Sequence, residues 1–235
     1  MGRTLRYRAA DLVKLCGKER RCPSGRTSGA KRIFILSLNE KHVKIFVANL
    51  GGAVLLNSQE IRKNADRILF EYGLLDMLRP LGTPHVIGSY RMNMMAWNDL
   101  DIDIENDAMD LDRLYQLTGS VLKVFRPSWY EAKEERTPEG KTVWFHGFEA
   151  HVNGELWNVD LWFFDRETIQ SAEQYCDNIA RTASAAQKEQ IVMIKRELMK
   201  RGLYSFEKFH SMDVYRAALE MNIQNADEFL ERYTR

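Results

Sequence analysis

Apolar residues at helical spacing predict helices in the middle of the chain and at its end. The first helix begins at Ser58, a residue suited to the N-cap, and continues until Pro80 and Gly82 interrupt it. The same spacing predicts a second helix over 108–124, and the pattern is helical again from Glu167 onward. Three segments carry the C-terminal helices: 177–201, 212–219 and 226–233.

Alternating apolar and polar residues predict strands between these helices. Segment 85–89 (HVIGS) reads as a short strand that runs into a turn, and 99–105 (DLDIDIE) places its acids on one face. Segments 141–152 and 155–164 are two more strands, joined at Asn153-Gly154, a dipeptide favoured in tight hairpin turns. This order predicts an α+β domain with a mixed sheet, helices packed on it and a helical C-terminal region.

Composition and charge exclude several classes of protein. Hydrophobic residues make up 45% of the 235 residues, enough for a buried core, so global disorder is excluded. The net charge is +1, although residues 1–32 carry about +8 and residues 33–235 about −7. Three scattered cysteines lack the spacing of a zinc site, and no apolar run reaches the ~18 residues of a membrane span. We therefore expect a cytoplasmic protein that binds neither a membrane nor a long nucleic acid.

The acidic strand carries the strongest chemical signal. Its four carboxylates project from one face and repel one another, and burying them unpaired would cost several kcal/mol. A divalent cation removes that penalty, and Mg2+ in particular bridges carboxylates and substrate phosphates. The alternative is a solvated strand face, because edge strands carry acids for solubility. An Asp-x-Asp motif alone does not decide between the two.

Residues on either side of the acidic strand favour the metal. Gly88 and Ser89 follow an apolar strand, where glycine lets the backbone approach a phosphate and Ser89 can help to hold it. Arg91 lies just beyond and could contact the same anion. Downstream, Asp160 is a single acid among apolar residues on a strand expected to be central. These residues predict a phosphate-binding turn next to a cluster of carboxylates.

In these motifs the sequence resembles the nucleotidyltransferase superfamily that includes DNA polymerase beta, and within it the small-molecule and antibiotic nucleotidyltransferases. The family pattern is a Gly-Ser after a strand, a short spacer, an Asp-x-Asp followed by an apolar residue, and a third Asp on a later strand. Here it is matched by 86–89 (VIGS), 98–102 (NDLDI) and Asp160. Asn98 stands where small family members often have serine, which is a departure from the pattern.

The resemblance implies a Mg2+-dependent catalytic core over 58–165, between a basic, partly flexible extension over 1–57 and the helical region over 166–235. Three acids would be catalytic and would bind two Mg2+ ions: Asp99, Asp101 and Asp160. An acceptor hydroxyl would attack the α-phosphate of an NTP, and pyrophosphate would leave. Only the length of the spacer favours Asp99 with Asp101 over the equally good pair of Asp101 with Asp103. Asp103 would then be a supporting ligand.

The acceptor that the resemblance implies is a hydroxyl of a small molecule. The acidic remainder of the chain would suit a cationic acceptor such as an aminoglycoside. Two alternatives stay open: a protein-modifying adenylyltransferase of the toxin–antitoxin type, and a non-catalytic nucleotide- or metal-binding module of the same fold. An RNA end-modifying enzyme would need a basic groove, which the sequence beyond its first 32 residues does not indicate.

Several other polar and aromatic residues are assigned to the core or the surface. Lys188, Lys195 and Arg196 could reach a triphosphate, as helix cations often do in this superfamily, but a solvated helix face is the preferred interpretation. His146 and His151 are expected in the core or at the surface rather than in an acceptor pocket. The remaining large side chains are expected to pack in the core: Met92, Met94, Met95, Trp129, Trp144, Trp157 and Trp162.

Overall fold

The computed structural model describes residues 58–137, 140–205 and 208–233. These residues form a five-stranded mixed sheet with helices packed on it, followed by a helical C-terminal region. This is the α+β class that the hydrophobic pattern predicts. The basic extension over 1–57, with the short strands that its apolar segments could supply, lies outside the described residues.

The first predicted helix is interrupted. Helix α1 (Ser58–Asp66) runs into a π-helical turn over Arg67–Glu71, and helix α2 (Leu74–Leu78) follows after a break. The break lies at Gly73, whose φ of 72° belongs to the left-handed region that favours glycine. Buried apolar residues from all three segments still join the core cluster of the sheet. The periodicity therefore predicts the buried face correctly, although the helix is not continuous.

The sheet has the strand order β1-β2-β5-β4-β3. Its strands are β1 (Thr83–Val86), β2 (Asp99–Glu105), β3 (Trp129–Arg136), β4 (Thr142–Val152) and β5 (Glu155–Phe164). Strands β2 and β5 run parallel, whereas the other neighbouring pairs are antiparallel. The acidic strand β2 lies between β1 and β5, so the explanation of its acids by an edge position is wrong.

The hydrophobic pattern does not predict strand β3. Its sequence, WYEAKEER, lacks the regular apolar alternation of a half-buried strand. The strand lies at the edge of the sheet, where charged side chains stay in water and discourage pairing with other chains. Its charges are therefore compatible with a strand at this position.

Six further helices lie in the described part of the chain. They are α3 (Gly88–Arg91), α4 (Leu111–Phe125), α5 (Arg166–Thr182), α6 (Ala185–Lys200), α7 (Ser211–Glu220) and α8 (Ala226–Tyr233). The single long helix predicted over 177–201 is wrong, because the chain leaves the helix at Ala183. Ser184 then caps α6, accepting from the Gln187 backbone N–H while the Gln187 side chain accepts from the Ser184 N–H. No helix in the described ranges is long and apolar enough to cross a membrane.

The spacer between α3 and β2 connects two clusters of buried residues. Met95 packs with the residues of the sheet, whereas Met92, Met94 and Ala96 pack with apolar residues of α6 and α7. The three methionines are at most 1% exposed, so their expected role in the core is confirmed. The spacer thereby holds the C-terminal helices next to the start of β2, where the first acid of that strand lies.

Candidate active site

The predicted carboxylates meet across the two parallel strands of the sheet. In the register of β2 with β5, Asp101 lies opposite Asp160 and Asp99 lies opposite Asn158. Leu100, between the two β2 acids, is fully buried on the other face because successive side chains of a strand alternate. The three predicted catalytic acids are therefore brought together on one face of the sheet.

The turn after β1 brings its backbone against one of these acids. The Ile87 N–H donates to the Asp101 carbonyl (3.0 Å), and α3 starts at the next residue. Gly88 has a φ of 61°, and a Cβ at this position would overlap Asp101 Oδ2. Ser89, the following residue, is buried. Glycine is needed here for both the backbone conformation and the close approach, so the structure places the predicted phosphate-binding turn beside the carboxylates.

Asp103 lies beside β1 itself, not beside the turn that follows β1. His85 of β1 lies beside Asp103 in the antiparallel register, so the turn that follows β1 reaches the Asp99–Asp101 end of β2. On β5 a tryptophan, rather than an acid, faces Asp103. Burial, and to a smaller extent Glu173, raise the pKa of Asp103 to about 8. These contacts favour Asp99 with Asp101 as the metal-binding pair.

Negative charge is crowded on this face. Burial raises the pKa of Asp101 well above its usual range, and the carboxylates of Asp99, Asp160 and Asp103 raise it further. Asn158 Nδ2 donates to Asp99 Oδ1 at 2.8 Å, which orients the first carboxylate of the strand. A cation among these groups would relieve their mutual repulsion.

Mg2+ fits this set of donors. It takes oxygen ligands, keeps several waters, and is usually held by one or two carboxylates together with substrate phosphates. Within the described residues, no three His, Cys, Asp or Glu side chains are arranged to hold a metal ion by themselves. Asp99 and Asp101, beside the backbone of Gly88, are the carboxylates that would hold such an ion together with substrate phosphates.

A buried cation faces the same acids. Lys195 on α6 is 4% exposed, and its Nζ lies 4.6 Å from the ring centroid of Trp97 and 5.6 Å from those of Tyr204 and Tyr215. Burial lowers the pKa of Lys195 to about 8, while the first two acids of β2 act in the opposite direction. The preferred sequence interpretation, a solvated helix face, is wrong for this lysine.

The sequence does contain a signal for Lys195. Ile191, Ile194 and Leu198 form the buried stripe of α6, and Lys195 lies on the same stripe, four residues after Ile191. Because a lysine is almost never fully buried unless it is paired, this position indicates nearby carboxylates. The periodicity of the predicted helix was therefore sufficient to single it out.

The two other cations of α6 contact backbone carbonyls. Lys188 Nζ donates to the Ala180 carbonyl and Arg196 Nε to the Ala96 carbonyl, both at 2.8 Å. The first bond joins α6 to the end of α5, and the second joins it to the spacer before β2. These bonds give both residues a structural role.

Arg91 is engaged by carboxylates of α5. Its Nε and Nη2 donate to Asp177 Oδ1 and Oδ2 at 2.7 and 2.8 Å, and its Nη1 donates to Glu173 Oε1 at 2.7 Å. Hydrogen bonding to Arg91 lowers the pKa of Asp177. The guanidinium therefore has two acidic partners, and its contact with a phosphate stays a prediction.

His146 belongs to the core. It is fully buried, with Nε2 at 3.2 Å from Thr118 Oγ1, and burial lowers its pKa to about 4. In the β4–β5 register it lies opposite Leu161, on the face of the sheet away from Asp160. His151 is exposed near the hairpin, so the expectation of core or surface roles is confirmed. Three of the tryptophans are also buried: Trp144, Trp157 and Trp162.

Comparison with solved structures identifies the fold. The chain is similar to Cid1, whose structure was described as the basis for its RNA terminal uridylyl transferase activity, with a TM-score of 0.50 and 15% identity over 77% of this chain and 52% of that one. A cytoplasmic RNA terminal U-transferase (14% identity, 77% and 53% covered) and the non-canonical poly(A) polymerase complex GLD-2–GLD-3 (13%, 76% and 58%) each give a TM-score of 0.46. The chain spans about half the length of these structures.

The described residues thus have the nucleotidyltransferase fold seen in Cid1. No protein-family model matches the sequence, and no curated protein is significantly similar to it. At 15% identity the likeness to Cid1 concerns the fold alone.

Proposed function

We propose that this chain is a Mg2+-dependent nucleotidyltransferase that moves a nucleoside monophosphate from an NTP to an acceptor hydroxyl and releases pyrophosphate. One observation carries the proposal: Asp101 faces Asp160 across two parallel strands, and the backbone of Gly88 lies against Asp101. The fold shared with Cid1 supports the same class of reaction.

Three carboxylates have roles in the proposed transfer. Asp99 and Asp101 hold Mg2+, which, when bound, neutralises negative charge on the phosphates and carboxylates. Asp160 lies across from Asp101 and accepts the proton of the acceptor hydroxyl. The acceptor oxygen forms a bond to the α-phosphorus while the bond from that phosphorus to the pyrophosphate oxygen breaks.

The phosphates are held at the turn and by α6 in this proposal. The backbone of Gly88 and the hydroxyl and N–H of Ser89 bind phosphate oxygens, as in other turns where a glycine allows close approach. Lys195 supplies positive charge from the helical region, in a buried site where such charge acts strongly. The catalytic core over 58–165 would thus depend on the region over 166–235 for this cation.

The acceptor that we propose is a hydroxyl of a small molecule. Residues 33–235 carry about −7, a charge that disfavours a long polyanion and suits a cationic acceptor. A second candidate is the 3′ hydroxyl of RNA, because the fold resembles that of Cid1, an RNA terminal uridylyl transferase. An adenylyltransferase that modifies proteins is a third.

The first test is isothermal titration of ATP, GTP, CTP and UTP in the presence of Mg2+. Wild type is compared with Asp101→Asn and with Asp107→Asn, a control that removes the charge of an exposed acid just after β2. We expect wild type and the control to bind at least one nucleotide, and Asp101→Asn to lose affinity by about a hundredfold or more. Failure of well-folded wild type to bind any of the four nucleotides would refute the proposal.

The acceptor is tested by following pyrophosphate release with the nucleotide that binds. An aminoglycoside and a short single-stranded RNA are offered in separate reactions, with Asp160→Asn as the inactive control. Release with the aminoglycoside alone would support the small-molecule acceptor. Release with RNA alone would replace it by the second candidate.

A further inference from the structure

The proposed phosphate-binding turn is held from one side by α1. Tyr90, the residue after Ser89, donates from its hydroxyl to Asp66 Oδ1 at 2.7 Å. The guanidinium of Arg62 lies 4.0 Å from the centroid of the Tyr90 ring and donates to the Tyr90 carbonyl. These contacts join the side chain and the backbone of Tyr90 to α1.

Helix α5 holds the turn from the other side. Glu173 and Asp177, one helical turn apart, accept the three hydrogen bonds from Arg91 described above. Glu173 Oε1 also lies 3.1 Å from His85 Nδ1, so the same carboxylate contacts the strand that leads into the turn. Between the two acids along the helix, Cys176 is fully buried.

Cys176 contacts the turn through a hydrogen bond with the backbone of Gly88. Burial raises the pKa of Cys176 to about 11, and a hydrogen bond from the backbone of Gly88 acts in the opposite direction. Three residues of one face of α5 therefore contact the segment from His85 to Arg91. The helix is in place to fix the orientation of the backbone that would receive the phosphates.

We propose that Arg91 is a positioning residue: its pairs with Glu173 and Asp177 fix the Gly88–Ser89 backbone for phosphate binding, and the guanidinium does not itself bind phosphate. Two carboxylates surround this single cation and occupy its Nε, Nη1 and Nη2. Their negative charge cancels the attraction that the guanidinium would exert on an anion. The inference rests on the proposed function, because it concerns how the same site binds an NTP.

The two roles of Arg91 predict opposite effects of Asp177→Asn. If Arg91 bound phosphate, removal of the competing carboxylate charge would free the guanidinium, and nucleotide affinity would rise. If Arg91 positions the turn, loss of the bidentate pair loosens α3 and nucleotide affinity falls. Arg91→Lys separates the roles again, since lysine binds phosphate well but cannot reproduce the bidentate pair with Asp177.

The test measures Mg2+–NTP affinity by isothermal titration for wild type, Asp177→Asn, Arg91→Lys and Glu167→Gln. The last is the matched control, because it removes one charge from an exposed position of the same helix. We expect the dissociation constant for Mg2+–NTP to rise by about tenfold in Asp177→Asn and in Arg91→Lys. Removing a group that orients binding residues weakens affinity by about 10- to 100-fold, and this estimate is the lower limit of that range. The control should bind like wild type.

Amide hydrogen exchange gives a readout that does not need the nucleotide. The N–H groups of Met92 and Met94 donate to the carbonyls of Gly88 and Ser89 at 3.1 and 3.0 Å, so they report on the turn. Their exchange should be faster in Asp177→Asn than in Glu167→Gln. Unchanged or tighter binding by Asp177→Asn would overturn the positioning role while the proposed function stands. Absence of binding by wild type would remove the proposed function, and the inference with it.

Discussion

Replacing Gly88 by alanine should damage the site through two separate effects. With a φ of 61°, the backbone of Gly88 is in the left-handed region, where an alanine costs about 1–2 kcal/mol. The added Cβ would also overlap Asp101 Oδ2 and lie 3.2 Å from Asp101 Cγ. The carboxylate must then retreat by roughly 1 Å, and a displacement of that size costs about a hundredfold in rate.

Gly154→Ala provides the matched control. Gly154 lies in the β4–β5 hairpin with a φ of 83°, and its Cβ would have no neighbour within 4 Å. This variant therefore shares the backbone strain of Gly88→Ala but not the contact with a carboxylate. Urea unfolding should give a loss of about 1–2 kcal/mol in Gly154→Ala and at least as large a loss in Gly88→Ala. Only Gly88→Ala should also lose Mg2+–NTP affinity and pyrophosphate release, by about a hundredfold in kcat/KM.

The comparison isolates the contact between the turn and Asp101. If folded Gly88→Ala keeps the kcat/KM of wild type, the close approach has no part in the reaction. If Gly154→Ala loses as much activity as Gly88→Ala, the loss comes from general destabilisation. Either result would refute the assignment of Gly88 to the phosphate-binding turn.

Three other predictions follow from the buried groups and the proposed metal. Lys195→Met should weaken Mg2+–NTP binding in isothermal titration, because it removes the buried positive charge that faces Asp99 and Asp101; unchanged affinity in the folded variant would contradict this. The pKa of His146 is 6.5 in the unfolded chain and about 4 in the folded protein, because burial disfavours the charged imidazole. The contribution of His146 to the free energy of unfolding is therefore fully present above pH 6.5, and on the order of 3 kcal/mol of it is lost as the pH falls to 4. His146→Leu should flatten that part of the pH profile of urea unfolding, and an unchanged profile would show that another group is responsible. EDTA should abolish the rise in Tm that an NTP produces and Mg2+ should restore it, whereas a rise that survives EDTA would exclude metal-dependent binding.

Local patterns were sufficient to predict much of the sheet. The alternation over 99–105 and the Asn153-Gly154 turn depend on neighbouring residues, and the structure has β2 and the β4–β5 hairpin where they are predicted. Strand β3 was missed because its charges suit an edge position that only the completed sheet reveals. The break between α5 and α6 has a local signal, Ser184 with Gln187 three residues later, but continuous helical periodicity obscured it.

The candidate site depends on contacts between distant parts of the chain, which local patterns do not reveal. The motifs were sufficient to predict which acids are in the site. The register that places Asp101 opposite Asp160, however, results from the pairing of β2 with β5, two parallel strands that are far apart in the sequence. The partners of Arg91 on α5 are 82 and 86 residues away along the chain. The sequence motif could not reveal them, and it therefore suggested a phosphate as the partner of the guanidinium. The division of the chain at 57 and 165 stays a prediction.

The balance of charge indicates how a nucleotide would enter. Three proposed catalytic acids and Asp103 share the face, and Lys195 is the cation that lowers the pKa of Asp101. The charge of Arg91 is offset by its two partners on α5. A free triphosphate, itself strongly anionic, would be repelled by this surface, whereas a Mg2+-bound one would bring part of the missing positive charge. We therefore expect nucleotide and Mg2+ to bind as a unit, with little affinity for either alone.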